Sequence, residues 1–227
     1  MNKKTYKISE ITKNNIINAA TLLFYEKGYK NTYFDEIAAS CGITKPLISY
    51  YFKRKSTLAK VVHEKVTNEN KNFIALRLYK TYYGLKKYDL KLSTAVEIQM
   101  TNRLYHEDKK AFRFYKERSD SYYSDMCSHK LVNLYQIHDR HYNLDINRNT
   151  DEISMLAYAA HGATLSLKLA FYRGELNCSF EEYNDYATAL HFKLMHIDEN
   201  EINYLLEVSK KMIKQSNFKV LPYFRIG

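Results

Sequence analysis

The chain has 227 residues, of which 45% are hydrophobic, and it carries a formal net charge of +10. This length and apolar content suffice for a folded protein with a real core. The basic balance favours a polyanionic partner, with nucleic acid first and an anionic membrane surface second. Three cysteines without metal-ligand spacing argue against a disulfide framework or a zinc module, so we expect a reducing, cytoplasmic location.

The excess positive charge is concentrated near the N-terminus. Residues 1–60 hold eleven Lys or Arg against four Asp or Glu. Polar residues follow the first cations where a secretion signal would be apolar, which argues against export. The longest apolar stretch, residues 153–172, is interrupted by His161 and Lys168, so we expect no membrane span.

Apolar residues recur at helical spacing along nearly the whole chain, which predicts an all-α fold. The first helix is predicted over 12–27, with Gly28 as its C-terminal cap. Thr32 and Asp35 have the spacing of a capping box, so a short second helix is predicted to begin there and end at Gly42. Thr44 is the predicted N-cap of a third helix. Pro46 falls in its first turn, where the missing amide proton has no helical partner.

A much longer amphipathic helix is predicted to start at Ser56 and to reach residues 82–84. It is expected to connect the N-terminal helices to the rest of the chain. Polar breaks then predict further helices near 91–106, 108–116, 119–138, 151–173, 179–196 and 198–216.

The second and third helices, joined by a tight turn, predict a helix-turn-helix, which places its second helix in the DNA major groove. Side chains near the start of that helix can donate or accept hydrogen bonds at base edges or pack on a thymine methyl group. The predicted base-reading residues are Lys45, Pro46, Leu47 and Ser49. The predicted phosphate contacts are Tyr50, Tyr51 and Lys55. Thr32 and Thr44, which begin the two helices, complete the predicted DNA-binding set.

The segment "GYKNTYFDEIAASCGITKPLISYYFKRKSTL", residues 28–58, resembles the DNA-binding segment of the TetR family of bacterial transcriptional regulators. The shared features are the Gly-Tyr that ends the first helix, the Gly-Ile-Thr turn, an aromatic residue at Tyr51, and Lys55 followed by Leu58. Ser49 departs from the family pattern, which usually has Tyr there, and Tyr50 is our candidate to supply that contact. The resemblance implies a homodimeric repressor that leaves its palindromic operator when a small molecule binds.

The resemblance also implies two domains. Residues 1–55 are expected to form the helix-turn-helix DNA-binding domain, and residues 56–227 a larger helical domain for ligand binding and dimerisation. The same fold without a small-molecule ligand, controlled by a protein partner, remains the alternative. A peripheral membrane protein is a further possibility.

The helix predicted at 151–173 is apolar on all sides and must therefore be covered on both faces. Its second face is formed by Met155, Tyr158, Gly162, Leu165 and Leu169, together with the small residues Ala159 and Ser166. We expect a partner subunit to cover that face. The resemblance implies a four-helix bundle made by the helices at 151–173 and 179–196 of each chain.

The larger domain is expected to bind a small, partly apolar molecule between the long helix from Ser56 and the helices that follow. Candidate lining residues fall on inward helical faces and combine apolar bulk with a few polar atoms. They are Phe73, Arg77, Met100, Leu104, Tyr115, Tyr122, Met126 and His161.

The sequence argues against both catalysis and metal binding. The chain has no nucleophile-elbow, zinc-protease, phosphate-loop or dinucleotide-binding motif, so we expect neither an enzyme nor a cofactor. His138 and His141 stand three apart, but no third ligand accompanies them, and we expect no metal site there.

Overall fold

The computed structural model describes residues 3–82, 89–121, 129–147 and 149–227. Its helices are, in chain order, α1 Lys3–Lys27, α2 Phe34–Cys41, α3 Lys45–Tyr51, α4 Lys55–Tyr82, α5 Leu90–Glu107, α6 Lys109–Ser121, α7 His129–Tyr142, α8 Glu152–Tyr172, α9 Phe180–Leu194 and α10 Glu199–Gln215. Two short strands, β1 Val220–Leu221 and β2 Arg225–Ile226, pair antiparallel near the C-terminus. The predicted all-α fold is confirmed. The hairpin escaped prediction because two-residue strands are too short to produce an alternating pattern.

Two predicted helix boundaries are wrong. α1 begins at Lys3 rather than at residue 12. The break predicted after residue 116 is absent, because α6 continues through Glu117 and the buried Arg118. Residues 119–121 of the helix predicted at 119–138 therefore belong to α6, and α7 supplies its second half. Residues 122–128, which include the candidate ligand residues Tyr122 and Met126, lie outside the described ranges.

The chain forms two compact units, each assembled from separate segments. The N-terminal unit comprises Met1–Lys71, Glu107–Met126 and Val220–Gly227, and the second unit comprises Asn72–His106 and Cys127–Lys219. The predicted domain boundary after residue 55 concerns function rather than compactness and stays a prediction. Across the described residues, no helix is both long and apolar enough to cross a membrane.

The core of the N-terminal unit is built on one face of α1. Ile16, Ala20 and Phe24, spaced four residues apart, have no exposed surface. Phe24 stacks on Phe114 of α6, with ring centroids 5.3 Å apart. α1 thereby provides the apolar platform that the short helices α2 and α3 need, since neither is long enough to be stable by itself.

The C-terminal hairpin is an integral part of this N-terminal unit. Phe224 is 2% exposed, and its ring lies 5.1 Å from that of Tyr25 and 5.3 Å from that of Phe114. The buried amide of Asn70 donates to the Phe224 carbonyl at 2.7 Å and accepts from the Ile226 N–H at 2.9 Å. One side chain on α4 thus satisfies two backbone groups of the hairpin, which would otherwise be costly to bury.

The core of the second unit is unusually polar. Asn102 donates to Asn184 at 3.0 Å, and Gln99 donates to Ser209 at 3.0 Å, all four side chains being buried. His138 has no exposed surface, and its two ring nitrogens lie within hydrogen-bond distance of the Thr94 hydroxyl and the Leu134 carbonyl. His138 is therefore a hydrogen-bonded core residue.

Candidate nucleic-acid interface

The turn between α2 and α3 has the geometry that the sequence predicts. Gly42 adopts a left-handed conformation, with φ 64° and ψ 32°, and its N–H donates to the Ala39 carbonyl at 3.2 Å. The Ile43 N–H donates to the Ala38 carbonyl at 3.0 Å, which completes the cap of α2. No atom would meet a β-carbon at Gly42, so the backbone conformation, and not space, requires glycine here.

α3 is anchored by one buried side chain and presents the rest of its residues at the surface. Ile48 has no exposed surface, and Phe52, directly after the helix, is 2% exposed. Thr44 is the N-cap, as predicted, and Pro46 lies in the first turn. The exposed side chains are Thr44, Lys45, Pro46, Leu47, Ser49 and Tyr50. The predicted base-reading residues therefore all lie on the surface of one helix.

Lys45 makes an ion pair that DNA would have to replace. Its Nζ lies 2.9 Å from Asp35 Oδ2, and both side chains are more than half exposed. An exposed pair of this kind contributes little to stability. Lys45 can therefore exchange this carboxylate for a guanine edge at small cost.

Tyr50 and Tyr51 differ in exposure. Tyr50 is 78% exposed, and its ring meets the Tyr51 ring edge to face at 5.3 Å. The Tyr51 hydroxyl donates to Ser9 Oγ at 3.1 Å, which ties α3 to α1. Tyr50 is thus the more accessible of the two predicted phosphate contacts.

Thr32 lies inside the N-terminal unit and not on its surface. Its side chain has no exposed surface, and its hydroxyl lies 2.7 Å from the Gly28 carbonyl and 3.2 Å from the Leu23 carbonyl. The N-cap of α2 is Tyr33, whose N–H donates to Glu36 Oε2 at 3.0 Å. The capping box is therefore one residue further along than the sequence suggested, and the Thr32 hydroxyl is bonded to the end of α1. The predicted DNA contact of Thr32 stays a prediction.

Lys55 also has a different environment from the one expected for a phosphate contact. Its ammonium donates to the carbonyls of Tyr29 at 2.8 Å, Thr32 at 2.9 Å and Lys30 at 3.3 Å. It also lies 4.6 Å from the centre of the Tyr29 ring. Burial lowers the pKa of this ammonium, while Glu117 and Glu36 oppose that shift. Lys55 therefore holds the loop between α1 and α2 in place.

Lys55→Ala is expected to destabilise the N-terminal unit, because it removes the ammonium that binds three backbone carbonyls. Because hydrogen bonds to a charged group contribute about 1.5 to 3 kcal/mol, we expect the variant to lose stability of that order. Urea unfolding followed by circular dichroism measures the loss. Lys53→Ala, at an exposed neighbouring cation, is the control and should unfold like the wild type. A Lys55→Ala protein of unchanged stability, with a flatter salt dependence of DNA binding, would restore the phosphate role.

Two exposed cations were not among the predicted contacts. Lys53 and Arg54 lie in the short connection between α3 and α4, and both are exposed. Their position next to the exposed face of α3 makes them better phosphate candidates than Lys55. The sequence signal was the run of three cations at 53–55, from which only the third was selected.

α6 fixes the C-terminal end of α1 by contacts within the N-terminal unit. Arg113 donates to the carbonyls of Tyr25 at 3.0 Å and Glu26 at 2.8 Å, and Glu117 accepts from the Lys30 N–H at 2.8 Å. Gly28 has φ 83°, and a β-carbon there would lie 2.7 Å from Glu117 Oε2. The backbone conformation therefore favours glycine, whereas a β-carbon would only require the flexible end of the Glu117 side chain to shift.

The described candidate ligand residues are distributed over the two compact units. Arg77 packs over the rings of Phe73 and Phe218, at 4.8 and 5.6 Å, and donates to the Ser216 carbonyl at 3.2 Å. Met100 and Leu104 are buried on α5, and His161 is half-buried on α8. These belong to the second unit, whereas Tyr115 is buried in the N-terminal unit. The role of these residues in ligand binding stays a prediction.

One face of α8 carries large apolar side chains at the surface. Met155 is 59% exposed and Tyr158 is 55% exposed. The small residues Ala159 and Ser166, which follow them along α8, are also exposed. On α9, Tyr186 is 59% exposed. Leu165, which was assigned to this face, is instead 3% exposed and points into the core of its own unit. Contiguous exposed apolar surface of this kind is typical of an interface.

Comparison with known proteins places these features in a family. The family model for bacterial regulatory proteins of the tetR family matches residues 16–62. A crystal structure of RolR in complex with resorcinol has a TM-score of 0.60 at 14% identity, covering 88% of this chain and 95% of RolR. RolR without ligand has a TM-score of 0.56 at 15% identity, covering 92% and 98%. At this identity the likeness shows the fold, and it extends over most of both chains. The matched segment contains the whole of α2, the turn and α3, so the resemblance of this segment to the tetR family of bacterial regulatory proteins is confirmed.

Proposed function

We propose that this protein is a cytoplasmic, sequence-specific DNA-binding repressor that acts as a homodimer. The observation that carries the proposal is the exposed surface of α3, where Lys45, Leu47 and Ser49 stand on a helix anchored by Ile48. A lysine, a small hydroxyl and an apolar side chain match the donors, acceptors and methyl groups of the major groove. The exposed cations Lys53 and Arg54 would contact backbone phosphates beside this surface.

The dimer is proposed from α8 and α9, which expose Met155, Tyr158 and Tyr186. A second copy is the occupant that suits this face, because a two-fold axis would make the face self-complementary and would pair two α3 helices. Two recognition helices so related would meet successive major grooves about 34 to 36 Å apart, or a multiple of that distance. The operator is therefore proposed to be palindromic.

Release by a small molecule is the third part of the proposal. Support comes from the polar interior of the second unit and from the fold shared with RolR, which has been solved in complex with resorcinol. A ligand can release DNA only through a difference in affinity between DNA-competent and DNA-incompetent states. A coupling of about 1 to 3 kcal/mol would weaken operator binding roughly 5- to 150-fold.

Sequencing the DNA retained by the purified protein from a fragmented genome tests the proposal. We expect a small number of fragments that share a palindrome, with binding that weakens as salt rises. Retention of fragments without a common motif would leave only non-specific binding and would defeat the repressor model. A specific operator whose occupancy no metabolite alters would instead favour control by a protein partner.

Lys45→Ala is expected to relax base preference at one position in each half-site. A good side-chain contact to a base edge gives about 1 to 3 kcal/mol of discrimination against the wrong base. Selection from a randomised-site library compares the variant with wild type, and Lys193→Ala, at an exposed cation of α9, is the control. An unchanged Lys45→Ala selection profile would show that Lys45 does not read bases.

A further inference from the structure

A cluster of polar side chains lies in the interior of the second unit, on the inward faces of α8 and α9. Lys168 is 7% exposed, although it sits in the most apolar helix of the chain. Thr188 has no exposed surface, and His191 is 8% exposed. Positions 184, 188 and 191 on α9 share a helical face, as do 161, 165 and 168 on α8. Two helices thus direct their polar groups to one place.

Two atoms of this cluster have unfilled hydrogen-bonding capacity. Thr188 Oγ1 and His191 Nδ1 are buried and have no hydrogen-bond partner within the described part of the chain. Thr164, by contrast, satisfies its hydroxyl within its own helix by donating to the Ala160 carbonyl at 2.7 Å. Buried polar atoms without partners are rare in folded proteins, because each costs free energy until a partner arrives. They point to a group that enters from outside.

The charge of the cluster indicates what kind of group that is. Burial lowers the pKa of Lys168 to about 7. Burial, followed by the nearby Lys168 and His161, lowers the pKa of His191 to about 4, so its imidazole is neutral and offers one donor and one acceptor. The titratable neighbours on the surrounding helices include Tyr105, His161 and His191. An anion would stabilise the ammonium form of Lys168 and accept hydrogen bonds from its neighbours.

The surroundings of the cluster are aromatic. Lys168 Nζ lies 4.7 Å from the centre of the Tyr105 ring on α5. On the same three helices, Phe171 stacks on Tyr183 at 4.6 Å, and His106 stacks on Phe180 at 3.8 Å. Flat rings of this kind favour a flat apolar body, which they can contact face to face or edge to face.

From this arrangement we propose that Lys168, Thr188 and His191 form the polar end of the effector site, and that the effector is a small aromatic molecule carrying an ionised acid group. The inference rests on the proposed function, since it names the chemical class of the ligand that releases the operator. The acid group would accept hydrogen bonds from Lys168 and Thr188, while the ring would lie among the aromatic side chains of α5, α8 and α9.

Proton uptake gives this proposal a measurable signature. Lys168 would be less protonated at pH 8 than at pH 6, and a bound anion would favour its ammonium form. Binding should therefore take up more protons at pH 8 than at pH 6. Titration calorimetry of benzoate in two buffers of different ionisation enthalpy measures this uptake, and neutral benzamide is the matched probe.

The variants separate a binding role from a structural one. Lys168→Met keeps the length and apolar bulk of the side chain, and Thr188→Val keeps its shape. We expect wild type to bind benzoate at least about tenfold more tightly than benzamide, as one charge-assisted hydrogen bond would provide. Lys168→Met should lose that preference and the proton uptake, and Thr188→Val should weaken benzoate binding. The controls Lys193→Met and Thr164→Val should behave like wild type, and melting curves confirm that each variant is folded.

The outcomes distinguish this inference from the proposed function. Equal binding of benzoate and benzamide, benzoate binding that survives Lys168→Met with unchanged proton uptake, or no binding of benzoate would each overturn the site. If another class of molecule then released the operator, the repressor model would stand without this site. Benzoate binding with the expected proton uptake but without any effect on operator affinity would support the site and defeat release by this ligand.

Discussion

Gly162→Glu is expected to convert the proposed dimer into monomers and to abolish specific operator binding at concentrations where wild type is bound. Gly162 lies on the face of α8 that exposes Met155 and Tyr158. A carboxylate placed there by both subunits would be buried close to its own symmetry mate, and an unpaired buried charge costs about 3 to 5 kcal/mol. Two such charges would weaken the dimer by about 6 to 10 kcal/mol, enough to dissociate a nanomolar dimer at micromolar protein.

Sedimentation velocity measures the loss of the dimer, and fluorescence anisotropy measures operator binding. Asn133→Glu, at an exposed position of α7, adds the same charge away from this face and should leave both properties unchanged. A Gly162→Glu protein that sediments as a dimer and binds operator with wild-type affinity would remove α8 from the interface.

Phe224→Ala is expected to destabilise the N-terminal unit, although Phe224 lies only three positions before Gly227. Its ring is 2% exposed and contacts those of Tyr25 and Phe114. Truncating a buried phenylalanine costs about 3 to 5 kcal/mol. Because α1 carries both Tyr25 and the platform for α2 and α3, the loss should appear as faster amide exchange in these helices.

Hydrogen exchange resolved by mass spectrometry measures that effect. Arg225→Ala, at the exposed neighbouring position of β2, is the control and should exchange like wild type. If Phe224→Ala left the amide exchange of α1, α2 and α3 unchanged, the hairpin would not contribute to the stability of the core of this unit.

The helix-turn-helix could be predicted from the sequence because its signals are local. Gly42 ends α2 in a left-handed conformation, Thr44 and Pro46 open α3, and both effects act within a few residues. The all-α class followed from helical periodicity. The same reasoning placed the exposed Lys45 and Tyr50 correctly at the surface.

Contacts between residues that are distant in sequence could not be predicted. Thr32 has the spacing of an N-cap, yet its hydroxyl lies against the carbonyls of Leu23 and Gly28. Lys55 stays a predicted phosphate contact, and the sequence did not indicate that three backbone carbonyls of the preceding loop surround its ammonium. The surroundings of these two side chains cannot be predicted from composition or from the spacing of apolar residues.

Long-range assembly also hid the interior of the second unit. Lys168 appeared in the sequence only as an interruption of an apolar stretch. Its relation to Thr188 and His191 depends on how α8 and α9 pack, which no local signal specifies. The bonds of Asn70 to the hairpin, more than 150 residues away along the chain, are a second example.

Two copies of this chain are proposed to read one palindrome through their α3 helices. The affinity of the purified protein for the selected palindrome, for a single half-site and for a scrambled duplex of equal length, all at one salt concentration, tests this proposal. We expect two chains per palindrome and binding at least about 10³-fold tighter than to the scrambled duplex, with the half-site far weaker than the palindrome. Equal affinity for the palindrome and the half-site would contradict reading by a dimer. Equal affinity for the palindrome and the scrambled duplex would contradict sequence-specific binding.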